Sequence, residues 1–337
     1  MIEILLFFIG ASLLLYVLFG GADYGAGILE LLPAGSLRDS QKKVINDAMG
    51  PVWEANHMWL ILVVVILFMG FPSIFTLLMT SLHIPMVALL FGIVVRGCAF
   101  TFRHYDAVQA PQSQNVYTVL FGTSSLWTAM WLGIIAGSLN RGLIDPLSTD
   151  FHEAYIAPWW GLYPFCMGIF VVCIFAFLAS VYLIGETENL DLKKMFIKRA
   201  FILNYLVVLS GAFVFAASAD ERTPLFADFF ESKITMAIMI AATALFIALW
   251  FFIRKRQTLL TRTVAAGQIT LILAGWYVLN APNALLTAQG PVSFYEAAAP
   301  LATLWQLVMA LLVGSLFIFP SLFYLMKVFK TGTTEEM

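Results

Sequence analysis

Apolar residues in this chain come in continuous runs of about 20, not in alternation and not in half-polar helical stripes. A run of that length spans the roughly 30 Å hydrocarbon layer of a bilayer as a helix. The pattern predicts nine such helices, at 3–21, 57–79, 83–103, 116–137, 158–184, 198–218, 233–253, 260–280 and 303–326. Turn formers or charges separate them: Gly20-Gly21, Pro72 to Pro85, Pro111, Asp145-Pro146, Asp220 to Pro224, Arg254 to Gln257, and Asn280 to Pro282. The fold class is therefore all-α, a polytopic membrane protein with nine transmembrane helices. An outer-membrane barrel would alternate apolar and polar positions, which these runs do not. The division suggested is two four-helix bundles (residues 1–140 and 155–282), a peripheral ninth helix at 300–327, and a tail at 328–337.

Composition agrees. Of 337 residues, 61% are hydrophobic and only 11% charged, against about 25% charged in soluble globules. Mean hydropathy is +0.90. Met1-Ile2-Glu3 carries no positive charge and no small-residue cleavage site ends the first run, so it reads as a retained span. The net charge of −2, with no large basic block, gives no sign of nucleic-acid binding.

The spans sort the basic residues. One side holds fifteen of the eighteen: Arg38, Lys42, Lys43, Arg96, Arg103, Lys193, Lys194, Lys198, Arg199, Arg254, Lys255, Arg256, Arg262, Lys327 and Lys330. The other holds Arg141, Arg222 and Lys233. By the positive-inside rule the amino terminus is external and the carboxyl terminus cytoplasmic. Trp159, Trp160 and Trp305 then fall near the external interface and Trp250 near the cytoplasmic one. No gap between spans holds a soluble domain; the longest runs from Ala22 to Asn56. The loops after the first and fifth spans are each acidic and then basic (Asp23 to Lys42-Lys43, Glu186 to Lys193-Lys194), a faint sign of an internal repeat.

Ionisable residues inside this hydrocarbon are the candidate chemistry, since each costs roughly 2.5–3.5 kcal/mol on insertion scales. Asp23 is expected to end the first span, among Gly20, Gly21, Gly25 and Gly27, and Glu54 to open the second. Three positions separate Glu54 from His57, which places them on one helix face with Asn56 offset. Arg96 lies about two turns inside the third span, and Arg103 follows seven residues later on the same stripe. An arginine at that depth pairs or snorkels. Asp23, Glu54, His57 and Arg96 are thus expected to converge at the cytoplasmic mouth of the first half. Two readings stand: a proton path of carboxylate, imidazole and amide, or an ion-pair knot that only pins three helices.

Other chemistries find little footing. Cys98, Cys166 and Cys173 sit within spans and read as inert buried thiols. His57, His83, His104 and His152 lie off mid-span, with no two on one helix at ligand spacing, so no haem or metal is expected in this chain alone. There is no phosphate-binding loop, dinucleotide fingerprint or metalloprotease helix.

The runs Gly21-Ala22-Asp23-Tyr24-Gly25-Ala26-Gly27 and Gly50-Pro51-Val52-Trp53-Glu54-Ala55-Asn56-His57-Met58-Trp59 resemble subunit II of cytochrome bd-type quinol oxidases. Arg96-Gly97-Cys98-Ala99-Phe100-Thr101-Phe102-Arg103 is similar to that family's Arg-Gly-x-x-Phe-Glu-Phe-Arg run. Ala179 to Leu183 with Thr187 and Arg199-Ala200, and Ala297 to Pro300 with Thr303-Leu304, Pro320 and Tyr324, extend the likeness along the chain. The sequence departs from the pattern at Glu54, where the family more often has Asp, and at His57 and Thr101, where it has Glu. Its length matches the shorter members, which include cyanide-insensitive types.

The resemblance implies a two-part enzyme. A haem-bearing subunit I would carry haem b and haem d and oxidise quinol, and dioxygen would be reduced to water with protons from the cytoplasm. This subunit would bind no haem, stabilise its partner, and offer a proton path through Asp23, Glu54, Asn56, His57, Arg96 and Arg103. Quinone, lipid and a small accessory subunit complete the implied partners, in a bacterial cytoplasmic (inner) membrane. The main alternative is a secondary transporter, whose polar residues would gather at broken helices near the midplane. A purely structural scaffold is the third reading.

Overall fold

The computed structural model describes residues 1–50, 53–106, 110–255 and 257–331. Pro51 and Val52 of the second motif, Arg256, and residues 332–337 of the expected tail lie outside the described residues. In chain order the helices are α1 (Ile2–Leu31), α2 (Arg38–Met49), α3 (Trp53–Gly70), α4 (Pro72–Ser81), α5 (His83–Tyr105), α6 (Pro111–Ser138) and α7 (Phe151–Tyr155). They continue with α8 (Leu162–Leu183), α9 (Leu190–Asp220), α10 (Pro224–Glu231), α11 (Lys233–Arg254), α12 (Thr258–Asn280) and, after a hairpin, α13 (Leu301–Thr331). Among the described residues nine helices are long and apolar enough to cross a membrane: α1, α3, α5, α6, α8, α9, α11, α12 and α13. Successive spans alternate in direction, so the ends of α1, α5, α9's start and α12's start share what we term the basic face.

The first span does not stop at Gly20-Gly21. It runs on to Leu31 through one π-helical turn, Tyr16–Gly20. The glycines serve close approach to a neighbouring helix instead. A Cβ on Gly21 would stand 2.7 Å from the Phe175 ring, and one on Gly25 would overlap the Phe175 carbonyl oxygen on α8. On the next face, a Cβ on Gly27 would collide with the Ser125 hydroxyl of α6. Breaking the helix here would strand backbone groups in an apolar core, which costs more than glycine's poor helix propensity.

The second span also differs from expectation. It starts at Trp53 and ends at Gly70, and the continuous helix predicted to 79 is broken at Phe71. Pro72 has no N–H to donate and forces the preceding residue out of the helical region, so Phe71 is non-helical and α4 restarts with proline in its first turn.

α8 is the most enclosed span. It packs against α1, α6, α9 and α12, which ties the two predicted four-helix bundles into one core. Tyr24, Leu29, Phe121, Phe175, Phe177, Phe196 and Leu249 meet there. A second cluster, nearer the opposite face, joins Leu5, Ile66, Phe71, Leu82, Ile134 and Leu304. α11 turns most of its surface outward, as a lipid-facing helix does.

Between α12 and α13 the chain forms an antiparallel hairpin, Asn283–Thr287 with Gly290–Ser293, which periodicity did not announce. It is tied to the loop after α6 (Leu286 N–H to Leu139 O, 2.8 Å), and just beyond it the Ala299 N–H reaches Gly70 O at 2.8 Å. Glu221 on that face accepts from Arg141 at 2.8 Å and from the Tyr163 N–H at 3.0 Å. Trp160 and Trp305 are exposed like interfacial residues, whereas Trp159 is buried against Trp131 at 5.4 Å. The three cysteines are free, but none is fully buried as expected: Cys166 and Cys173 are half-buried, and Cys98 is exposed on the outward face of α5, where a weakly polar thiol tolerates lipid.

Gly25→Ala should abolish assembly, because the added methyl meets backbone on α8, which cannot rotate away. Gly10→Ala, with nothing within 4 Å of its Cβ position, should leave assembly intact. Membrane yield and thermal melting of the purified complex would compare the two. Equal behaviour would contradict the packing derived for α1.

Candidate functional site: a buried ion-pair ladder

α1 and α5 both run toward the basic face and are therefore parallel. Asp23 and Glu30 stand seven positions apart on α1, nearly two turns, so they share a stripe. Arg96 and Arg103 repeat that spacing on α5. The outcome is two rungs of one ladder, each joining residues 73 positions apart: Arg96 donates to Asp23, and Arg103 donates to Glu30 at 2.8 Å. All four side chains are at most 3% exposed. Removing one member of such a buried pair leaves an uncompensated charge and costs about 3–5 kcal/mol.

Aromatic rings take the place of water around the cations. The Phe121 ring of α6 lies 5.1 Å from the Arg96 guanidinium and 4.6 Å from that of Arg103, between the rungs. Phe100 is 5.9 and 5.5 Å from the same two groups, and Tyr24 and Trp53 lie 5.3 and 5.8 Å from Arg96. Desolvated cation–π contacts contribute about 2 kcal/mol each. Arg103 also donates to Asn46 of α2.

Around the inner rung the structure gathers several of the residues singled out in sequence. Asn56 is buried and its amide approaches the Asp23 carboxyl. The His57 ring packs edge-on to Tyr24 (6.0 Å) and Trp53 (6.3 Å). Tyr24 in turn meets Tyr16 hydroxyl to hydroxyl at 3.1 Å. The π turn widens the helix between these tyrosines and brings a residue eight positions away back toward the same stripe.

Glu54 is the residue the structure does not bring in. It is exposed, and the buried positions of α3 are Asn56, Trp59, Val63, Ile66 and Gly70. At 100° per residue Glu54 points nearly opposite to Asn56. Asp23 does lie near Arg96, but not at the mouth as expected. It sits eight residues before the end of α1, about 12 Å inside.

The residue at the mouth is Glu30, which sequence reading missed because it ended the first span at Gly21. The signal was present: an acid seven positions after Asp23, matching an arginine seven positions after Arg96.

α2 lies across this opening. Its Gln41 donates to Leu29 O at 2.8 Å, and Arg199 of α9 donates to Pro33 O at 2.9 Å and to Leu32 O at 3.4 Å. Both groups satisfy carbonyls freed at the end of α1, where the helix dipole favours a cation. Beside them is a cavity of about 260 Å³ lined by Glu30, Arg38, Gln41, Lys42, Gln114 and Asn115, among others. Burial, with Arg103 and Arg38 adding to it, lowers the Lys42 ammonium below the usual lysine range, although Glu30 opposes the shift.

His57 is wedged between rings, the Nδ1 atoms of His83 and His104 sit 3.1 and 2.9 Å from the backbone carbonyls of Thr80 and Phe100, and His152 is exposed on another element. Among the described residues no cluster of three or more His, Cys, Asp or Glu could hold a metal ion.

Comparison with known proteins identifies the family. The chain is similar to cytochrome bd ubiquinol oxidase subunit 2 of Bacillus subtilis (strain 168), 26% identical over 274 residues, covering 80% of this chain and 77% of that one. It is also similar to cytochrome bd-I ubiquinol oxidase subunit 2 of Escherichia coli (strain K12), 22% identical over 42% of this chain and 36% of that one. In fold it matches the bd oxidase from Geobacillus thermodenitrificans with a TM-score of 0.75 at 16% identity, over 95% of this chain and 97% of that one. Residues 1–329 match the family model for cytochrome bd terminal oxidase subunit II, and with that match over nearly its whole length the chain belongs to that family.

Proposed function

We propose that this chain is the haem-free subunit of a quinol-oxidising, dioxygen-reducing terminal oxidase in a bacterial cytoplasmic membrane, with its amino terminus external. Its partner is a haem-bearing subunit I that holds haem b and haem d and oxidises quinol. Those haems supply the electron transfer and oxygen chemistry. This chain's own residues stabilise that partner and carry protons from the cytoplasm toward it. Family membership supports the oxidase role and gives the secondary-transporter alternative no support. Quinone and lipid at the rim, and a small accessory subunit, belong to the same reading.

The observation that carries the proton role is the inner rung. Asp23 Oδ1 is held by Arg96, and buried Oδ2 has no partner at hydrogen-bond geometry among the described residues, although the Asn56 amide stands beside the carboxyl. An ion-pair knot alone would be better served by a bidentate pair. A carboxylate with one oxygen committed and the other open can accept a proton and release it while the arginine fixes its position. Asn56 and His57 sit beside it, and Arg103 holds the outer rung.

Glu54 has another relation to the path. A carboxylate on the exposed face of α3, followed by exposed Met58, Ile61, Val65 and Phe68, would be costly against lipid. Facing a partner subunit it can hand protons across the interface. That surface is where subunit I is expected to dock.

Asp23→Asn should lower oxygen consumption per haem by about a hundredfold in whatever complex assembles, the range for loss of a positioned acid or base, over and above any loss of complex from the unpaired Arg96. Glu54→Gln should act in the same direction. Full turnover per haem in both variants would leave only the scaffold role. Separately, the absorption spectrum of the purified chain should show no haem, and that of the complex should show both types; haem retained by this chain alone would contradict the division of labour.

A further inference from the structure

We propose that Glu30 is the carboxylate at which this subunit takes up protons from the cytoplasm, with the cavity under α2 as its hydrated mouth; this rests on the proton-path reading above. Four observations lead to it.

Glu30 lies in the last turn of α1, at the basic face. One oxygen is held by Arg103, while Oε1 is buried with no protein partner among the described residues. The arrangement repeats that of Asp23 one rung further out.

The cavity reaches this carboxylate. At about 260 Å³ it holds several waters at roughly 30 Å³ each. Its lining identifies what it takes. Glu30 and Gln41 both line it, and each has a buried side-chain oxygen without a partner among the described residues. They call for a donor, which an anion cannot supply and which water or hydronium can. Arg38 and Lys42 on the same wall disfavour any resident cation, so the donor at rest is water and hydronium passes through only as the proton is delivered.

A polar step also exists between the rungs. Gly27 lies about midway from Glu30 to Asp23, and the room left by its missing side chain is taken by the Ser125 hydroxyl. That hydroxyl donates to Phe121 O at 2.6 Å, which leaves its lone pairs free to accept. Glu30 and Asp23 are separated by about 10.5 Å along the axis, too far for one direct transfer and short enough for a hydroxyl and intervening water.

The chemistry is proton transfer alone. Hydronium in the cavity gives its proton to the Glu30 carboxylate, leaving water and a neutral acid. The acid releases that proton inward to the Asp23 carboxylate and is ionised again beside Arg103. Only O–H bonds form and break.

The test uses the complete oxidase reconstituted in vesicles, with proton uptake read by a pH-indicator dye after dioxygen reaches the reduced enzyme. Turnover per haem is measured alongside. Glu30→Gln should slow both by about a hundredfold, and Glu30→Asp should restore most of the rate. Asn115→Trp fills the cavity from α6 without touching the ion pair, and should slow uptake in parallel. Lower haem content with unchanged turnover per haem in Glu30→Gln would make the residue structural and overturn the proposal. Should that variant fail to assemble, wild-type uptake in Asn115→Trp would overturn it. If Asp23→Asn is slow while the Glu30 and Asn115 variants run normally, intake lies elsewhere and the path itself stands. If Asp23→Asn is also normal, the underlying reading fails.

Discussion

Two arginines and the two carboxyl groups they pair with sit inside an apolar helical body, and they are tolerable only in one alignment. A single-residue slide between α1 and α5 would rotate both carboxylates away from both guanidiniums, because the two rungs share one offset. The ladder therefore fixes the register of these helices more tightly than apolar packing alone would. Phe121 extends the constraint to α6 by lying between the guanidiniums. The glycine face of α1 extends it to α8, and through α8 to the second half of the chain. Most of the molecule's internal geometry is thus set around one helix.

Much of this was legible in sequence, and the failures have physical causes. Nine spans and the all-helical class follow from run length, since a bilayer leaves few other options for uninterrupted apolar segments. Asp23 and Arg96 stood out because ionisable groups in hydrocarbon need partners. Glu30 did not, because Gly20-Gly21 resembles a helix stop and only tertiary contact with Phe175 and Ser125 reveals it as a packing surface. Phe71 shows the converse: Pro72 was seen as an interruption, yet the span was carried through it. On α3 the spacing of Glu54 and His57 was sound, but spacing does not say which face is inward. Asn56 faces the site, His57 is partly enclosed and Glu54 points away.

The two halves differ in where they put charge. In the first half two buried ion pairs join α1 to α5, Asp23–Arg96 well inside the span and Glu30–Arg103 in the last turn of each helix. In the second half the counterparts are at the edges: Arg262 with Glu186 at the basic face, Arg199 on freed carbonyls of α1, and Glu221 with Arg141 at the other face. These contacts close helix ends. The deeply buried polar groups of the second half, Asn204 and Gln268 among them, are uncharged, so the buried acid–arginine pairs that a proton path can use lie on one side of the molecule.

The π turn in α1 has a wider consequence. Leu5, Leu6 and Ile9 before it belong to one apolar cluster, while Tyr16, Tyr24 and Leu29 within and beyond it belong to another. A regular α-helix through the same positions would be out of phase by the angle of one residue, about 100°. The extra residue in that turn acts as an angular spacer that lets a single rod satisfy two separately oriented sockets. Shortening the segment by one amino acid would restore ideal helical geometry and, by doing so, turn one end of the rod out of its socket.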